Sequence, residues 1–143
     1  MMQIKFKKLG QDAQMPTYAK PWDAGADLYA NEDCTIYYNS HDTVSTGIAV
    51  EIPAGYVGLI HPRSGMASKH GITVLNSPGT IDAGYRGELK VILVNHTGID
   101  YEVIKGDKIA QLVIQKVEEA QFVEVDELSN SDRNDKGFGS TGK

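Results

Sequence analysis

Between Val44 and Ile52 the chain alternates with a period of two. Extended, it points Val44, Thr46, Ile48, Val50 and Ile52 one way and Ser45, Gly47 and Glu51 the other. No window of a dozen residues carries a comparable apolar stripe at helical spacing. A chain with this period must bury its apolar face by packing sheets. Ile4 and Phe6 repeat the pattern, as do segments 35–38 and 122–125. Segments 88–95 and 109–117 read as more fully buried strands. Turn signals separate them: Pro53-Ala54-Gly55, Ser77-Pro78-Gly79, Thr97-Gly98 and Lys105-Gly106-Asp107. Many short strands so punctuated predict an all-β sandwich, jelly roll or barrel, with one short helical piece over 66–70.

Length and composition narrow the chemistry. The 143 residues predict one domain, and 41% hydrophobic content is enough for its core. The longest strictly aliphatic run, Val91-Ile92-Leu93-Val94, is far short of the roughly 18 residues a membrane span needs. Lysines near the N-terminus have no apolar stretch behind them, so no signal peptide is expected. With 14 basic against 19 acidic residues, a net charge of −5 disfavours stable binding to nucleic acid. A single cysteine, Cys34, excludes an internal disulfide and suits a reducing, cytoplasmic location. His41, His61, His70 and His96 show no metal-ligand spacing, and Cys34 has no second thiolate to share a zinc ion. Neither a Gly-x-x-x-x-Gly-Lys phosphate loop nor a dinucleotide fingerprint is present.

The chain divides at about Asp126 into a core (1–126) and a polar arm (127–143). From Asp126 onward only Leu128 and Phe138 are large and apolar, so the arm should be mobile when alone. Phe138 lies between Gly137 and Gly139, with Arg133 before it and Ser140 and Thr141 after it. An aromatic, an arginine and hydroxyls on a glycine-flexed strap suit a planar ring carrying phosphates. The eight residues from Val125 to Arg133 span up to about 28 Å when extended, enough to reach a neighbouring subunit.

Four core segments carry further candidates. Asp27, in Ala24-Gly25-Ala26-Asp27-Leu28, is a ligand carboxylate or a local backbone acceptor. In Pro62-Arg63-Ser64-Gly65, Arg63 offers a forked cation, Ser64 a hydroxyl and the Ser64-Gly65 turn backbone N–H groups; a capped turn with a surface ion pair fits equally. In the glycine-bounded loop 79–88, Asp82 is a general base or a satisfied turn aspartate, and Tyr85 a pocket wall or a half-buried ring. Gln111, amid apolar neighbours, is a ligand contact or a satisfied core amide.

Taken in order, these five segments closely resemble the trimeric dUTPases, the deoxyuridine triphosphate nucleotidohydrolases, from Ala24 to Gly142. The resemblance implies a distorted β jelly roll (β-clip) assembled as a homotrimer with shared active sites. It also implies the reaction: water attacks the α-phosphorus of dUTP, giving dUMP and pyrophosphate, keeping uracil out of DNA and supplying dUMP for thymidylate synthesis. Asp82 matches the acid that orients and deprotonates this water. Arg63, Ser64, Gly65 and Gln111 match residues around the phosphate chain. Asn76 matches the uracil-edge contact, and Tyr85 the ring under deoxyribose. On the arm, Arg133, Ser140 and Thr141 match γ-phosphate contacts, and Phe138 in Gly137-Phe138-Gly139 the ring stacked on uracil. Mg²⁺ is implied on the phosphates and waters with no direct protein ligand, Asp27 reaching it through water.

The chain departs from the family pattern at Gly84, where aspartate is usual, at Lys108 for arginine, and at Asn134 and Lys136 for glycines. Two other readings compete. The related dCTP deaminases need a glutamate where this chain has Ile92. A regulatory binding protein on the same scaffold would use chain-specific contacts, for which 117–130 is the candidate segment.

Overall fold

Antiparallel ladders organise the computed structural model, which describes residues 2–137. In chain order the strands are β1 Lys5–Lys8, β2 Gly25–Tyr29, β3 Cys34–Ile36, β4 His41–Glu51 and β5 Tyr56–His61. The helix α1, Ser64–His70, precedes β6 Ile72–Val74, β7 Gly79–Ile81, β8 Glu88–Asn95, β9 Tyr101–Val103 and β10 Lys108–Lys116. One sheet has the order β1-β4-β8-β6, the second β2-β10-β5-β7, and β3 and β9 form a ribbon. The all-β jelly-roll-like architecture agrees with the sequence. Ile48, Val50, Leu89, Val91 and Leu93 from the first sheet meet Leu28, Ile60 and Leu112 from the second in one core. Among the described residues, no helix is long and apolar enough to cross a membrane.

Strand β4 departs from simple alternation. Its ladder with β8 jumps from Ser45↔Lys90 to Ala49↔Glu88, a bulge that leaves Thr46–Ile48 unpaired on that side. Gly47, expected on the outer face, is buried at φ +68°, and a Cβ there would lie 2.8 Å from Asn31 Cγ. The Glu88 carboxylate secures the bulge by accepting the Gly47 N–H at 2.9 Å and the Ser45 hydroxyl. Asn95, fully buried, donates to the carbonyls of Ile36 (2.9 Å) and Ile99 (2.8 Å) and accepts from Thr97 N–H and Oγ1.

Other expectations need correction. Residues 122–125 form no strand; Phe122, Val123 and Val125 are exposed and no ladder partner lies beside them among the described residues. Their alternation is real, but a strand needs an edge to pair with. The strand expected over 35–38 is Cys34–Ile36, leaving Tyr37 and Tyr38 exposed. Strand β8 is half-buried at its start: Glu88 and Ile92 are half-buried and Lys90 exposed, between the fully buried Leu89, Val91 and Leu93. The helix starts at Ser64, two residues before the expected 66–70, because Arg63 is still extended (φ −91°, ψ 126°). It stops where Gly71 turns left-handed at φ 60° and its N–H returns to the last carbonyls.

Candidate functional site

Strands β2, β10 and β5 lie side by side, and their register puts Asp27 opposite Gln111 and Gln111 opposite His61. Directly paired residues share a face, so these three side chains form one row across the sheet. Asp27 is 2% exposed, a buried carboxylate that must be compensated. Its Oδ2 lies 2.7 Å from Lys108 Nζ, and its Oδ1 accepts from Gln111 Nε2 at 3.3 Å and faces Arg63 Nε at 3.5 Å. Burial raises its pKa, but the Lys108 and Gln111 hydrogen bonds and the Lys108 and Arg63 charges outweigh it and hold the carboxyl below its ordinary range. The Asp27 hydrogen bond and charge raise the Lys108 pKa in turn. Arg63 also donates Nη1–H to the Lys108 carbonyl at 3.1 Å. The exposed Ser64 and Gly65 follow it at the start of α1.

A second group gathers around β7. Asp82, exposed, follows directly on Ile81, and the Tyr85 N–H closes the turn onto the Asp82 carbonyl at 3.0 Å. Tyr85 donates its hydroxyl to the Glu88 carbonyl at 2.9 Å, which lays the ring along the backbone of Gly87. A Cβ on Gly87 would stand 2.6 Å from Tyr85 Cζ, so only glycine admits the ring there. Asp82 and Tyr85 line one depression with Thr80, Lys90 and Ile92. The position where a deaminase carries its glutamate is thus a half-buried aliphatic in that depression. Asn76 sits over Gly79, its Nδ2 3.4 Å from where a Cβ would be, ahead of a cis Ser77–Pro78 peptide. A Cβ on Gly84 would meet no atom within 4 Å.

Asp82 and the Arg63 group occupy opposite ends of β5, while Gly79, with Asn76 over it, pairs with Ile60 near the Arg63 end. Ile81 pairs with Gly58, which brings Asp82 alongside Val57, whereas Arg63 lies beyond His61 at the other end. Six residues of extended chain separate Val57 from Arg63, about 20 Å at 3.3 Å each. Among the described residues, no hydrogen bond or ion pair joins the two groups. Arg133 is exposed and donates Nε–H to the Lys136 carbonyl at 3.0 Å, a local contact within the arm. Phe138, Gly139, Ser140 and Thr141 lie outside the described residues.

Lys108 is the residue sequence reasoning undervalued. Noted in the sequence only as a departure from arginine, it is the nearest cation to Asp27. Its signal was the Gly106-Asp107 turn, which decides where β10 begins. Chemically, the first group offers a side-on guanidinium, an amide, a hydroxyl and turn N–H groups to an anion; the second offers an exposed carboxylate beside an aromatic wall.

Comparison with known proteins follows the same line. The dUTPase family model matches residues 11–142. A deoxyuridine 5'-triphosphate nucleotidohydrolase of Thermobifida fusca (strain YX) is 54% identical over 142 residues, covering 99% of this chain and 79% of the relative. A point mutant of the dUTPase from Staphylococcus bacteriophage 80alpha, solved with dUpNHpp, superposes with a TM-score of 0.93 at 31% identity, covering all of both chains. A dUTPase mutant from phage phi11 of S. aureus, solved with a view to the coordination of a structural Mg(II) ion, superposes with a TM-score of 0.82 at 30% identity, covering 88% of this chain and 98% of that one.

Proposed function

The chain belongs to the dUTPase family and hydrolyses dUTP, and from that premise we infer that its active site is completed by more than one copy of itself. One observation carries this: Asp82 and Arg63 stand at opposite ends of β5, about 20 Å apart by strand geometry. A triphosphate spans only a fraction of that distance. An α-phosphorus within one water of Asp82 therefore meets the Arg63 cluster of a neighbouring copy. The core 1–126 builds the assembly, a homotrimer, and the arm 127–143 reaches across it with Arg133, Phe138, Gly139, Ser140 and Thr141.

In this reading the reaction is a hydrolysis at the α-phosphorus that yields dUMP and pyrophosphate. Asp82 accepts a proton from the attacking water and holds it in line. Exposure keeps that carboxylate accessible to solvent until the arm closes. Arg63, Ser64, Gly65 and Gln111 bind the phosphate oxygens and neutralise charge on the leaving pyrophosphate, where positioning and electrostatics supply most of the barrier reduction. Asn76 reads the uracil edge. Tyr85, pinned flat by its bond to Glu88, closes the space a 2′-hydroxyl would need.

The residues fit a metal carried by the substrate. Both oxygens of Asp27 already face Lys108, Gln111 and Arg63, so its carboxylate suits a hydrated Mg²⁺ at one remove, held on the phosphates. When bound, the ion supplies charge neutralisation to the triphosphate. The cellular outcome is removal of dUTP in the cytoplasm and a supply of dUMP.

Purified protein with Mg²⁺ and each of dUTP, dCTP, dTTP and UTP tests the reading through released pyrophosphate. Release from dUTP alone is expected. Equal release from UTP would remove the role of Tyr85, and ammonia from dCTP would revive the deaminase reading.

A further inference from the structure

Lys108 opens β10, and the register there decides where its side chain goes. Gln111 stands opposite Asp27 and Ala110 opposite Leu28, but it is Lys108, not Ile109, that stands opposite Tyr29. Ile109 is the extra residue of a bulge and is buried at 1% exposure. Plain pairing would have turned Lys108 to the side of Leu28 and Ala110, which is fully buried core. Asp27 and Tyr29, two apart on β2, share a face, so the bulge swings Lys108 onto the face of Asp27 and Gln111.

The residue then makes two contacts at once. Its ammonium lies 2.7 Å from Asp27 Oδ2, and its carbonyl accepts Arg63 Nη1–H at 3.1 Å. Arg63 meets the same carboxylate only through Nε, at 3.5 Å. Nη2 of that guanidinium makes no hydrogen bond among the described residues. Asp27, with its side chain 3% exposed, needs a full counter-charge, and Lys108 provides the nearer one.

We propose that Lys108 is a positioning residue for dUTP hydrolysis: it neutralises Asp27 so that Arg63 keeps its Nη2 for the phosphates. Without that ammonium, Arg63 is the remaining cation beside a nearly buried carboxylate. A guanidinium prefers to meet a carboxylate with two parallel N–H bonds, and rotating to do so commits Nη2 to Asp27 and withdraws it from substrate. The proposal rests on the reading that Arg63 meets the phosphate chain.

Three variants of the full chain test it: Lys108→Met, Lys108→Gln and Lys108→Arg. Lys108→Met and Lys108→Gln are expected to raise KM for dUTP about tenfold with kcat within about threefold of wild type. Calorimetry with inorganic pyrophosphate in the absence of metal should show the same weakening, and Lys108→Arg should restore both readouts. Adding Asp27→Asn to Lys108→Met should recover most of the lost pyrophosphate affinity, because a neutral amide no longer draws Arg63 away. Unchanged KM and pyrophosphate affinity in Lys108→Met and Lys108→Gln overturn the proposal. So does a double variant no better than the single one. Arg63→Lys separates the two ideas: if it leaves pyrophosphate binding intact, the phosphate reading of Arg63 falls. If it weakens binding while the Lys108 variants do not, only the role of Lys108 falls.

Discussion

Asp82→Asn keeps the size of the side chain and removes the carboxylate proposed to accept the proton, so turnover should fall by about two to four orders of magnitude while dUpNHpp binding persists. Calorimetry beside single-turnover assays reads both. Gly87→Ala acts on the neighbouring ring: its methyl would collide with Tyr85, and lifting that ring would open room at the proposed sugar site. The ratio of kcat/KM for dUTP over UTP should drop about tenfold or more, with stability lowered by about 1 kcal/mol. Asp27 makes a pH prediction. Its folded pKa lies below the unfolded value of about 3.9, so its stabilisation is present above that value and lost as pH falls through the lower one. The gap in melting temperature between wild type and Asp27→Asn should be widest near neutrality and shrink below about pH 4. Asn134 shows how a departure from pattern can leave geometry intact: at φ +42° it occupies the left-handed region that the customary glycine would favour, and asparagine tolerates it.

The two long apolar runs were legible as strands. Segments 88–95 and 109–117 match β8 and β10 almost to the residue, because Gly87 and the Gly106-Asp107 turn end one element and admit the next. Bulges were not legible. The β4 bulge depends on Glu88 reaching back to Gly47 and Ser45, and the β10 bulge on the pairing of Lys108 with Tyr29; both are long-range contacts that one sequence does not display. Segment 122–125 failed for the opposite reason, being patterned as a strand with no edge beside it among the described residues. Asn95 also escaped notice, yet it ties the end of β8 to β3 and to the following turn. Asn95→Ala leaves buried carbonyls and a Thr97 N–H without partners, and should lower the unfolding free energy by about 3 kcal/mol, read from urea midpoints at constant m-value.

At the scale of the whole molecule, the residues of the candidate site were named from sequence, but their separation was not. Asp27, Arg63 and Gln111 do come together on one chain, while Asp82 and Tyr85 lie toward the far end of β5. Nothing in linear spacing distinguishes that from a single pocket. Light scattering should give three times the 15.6 kDa chain mass. Deleting residues 133–143 should leave that mass unchanged and remove most dUTP hydrolysis. The two ends of β5 also allow functional complementation. Chains carrying Asp82→Asn and chains carrying Arg63→Ala are each expected to be nearly inert, but unfolded and refolded together they form hybrids in which an intact carboxylate faces an intact guanidinium. Two silent preparations would then yield an active mixture.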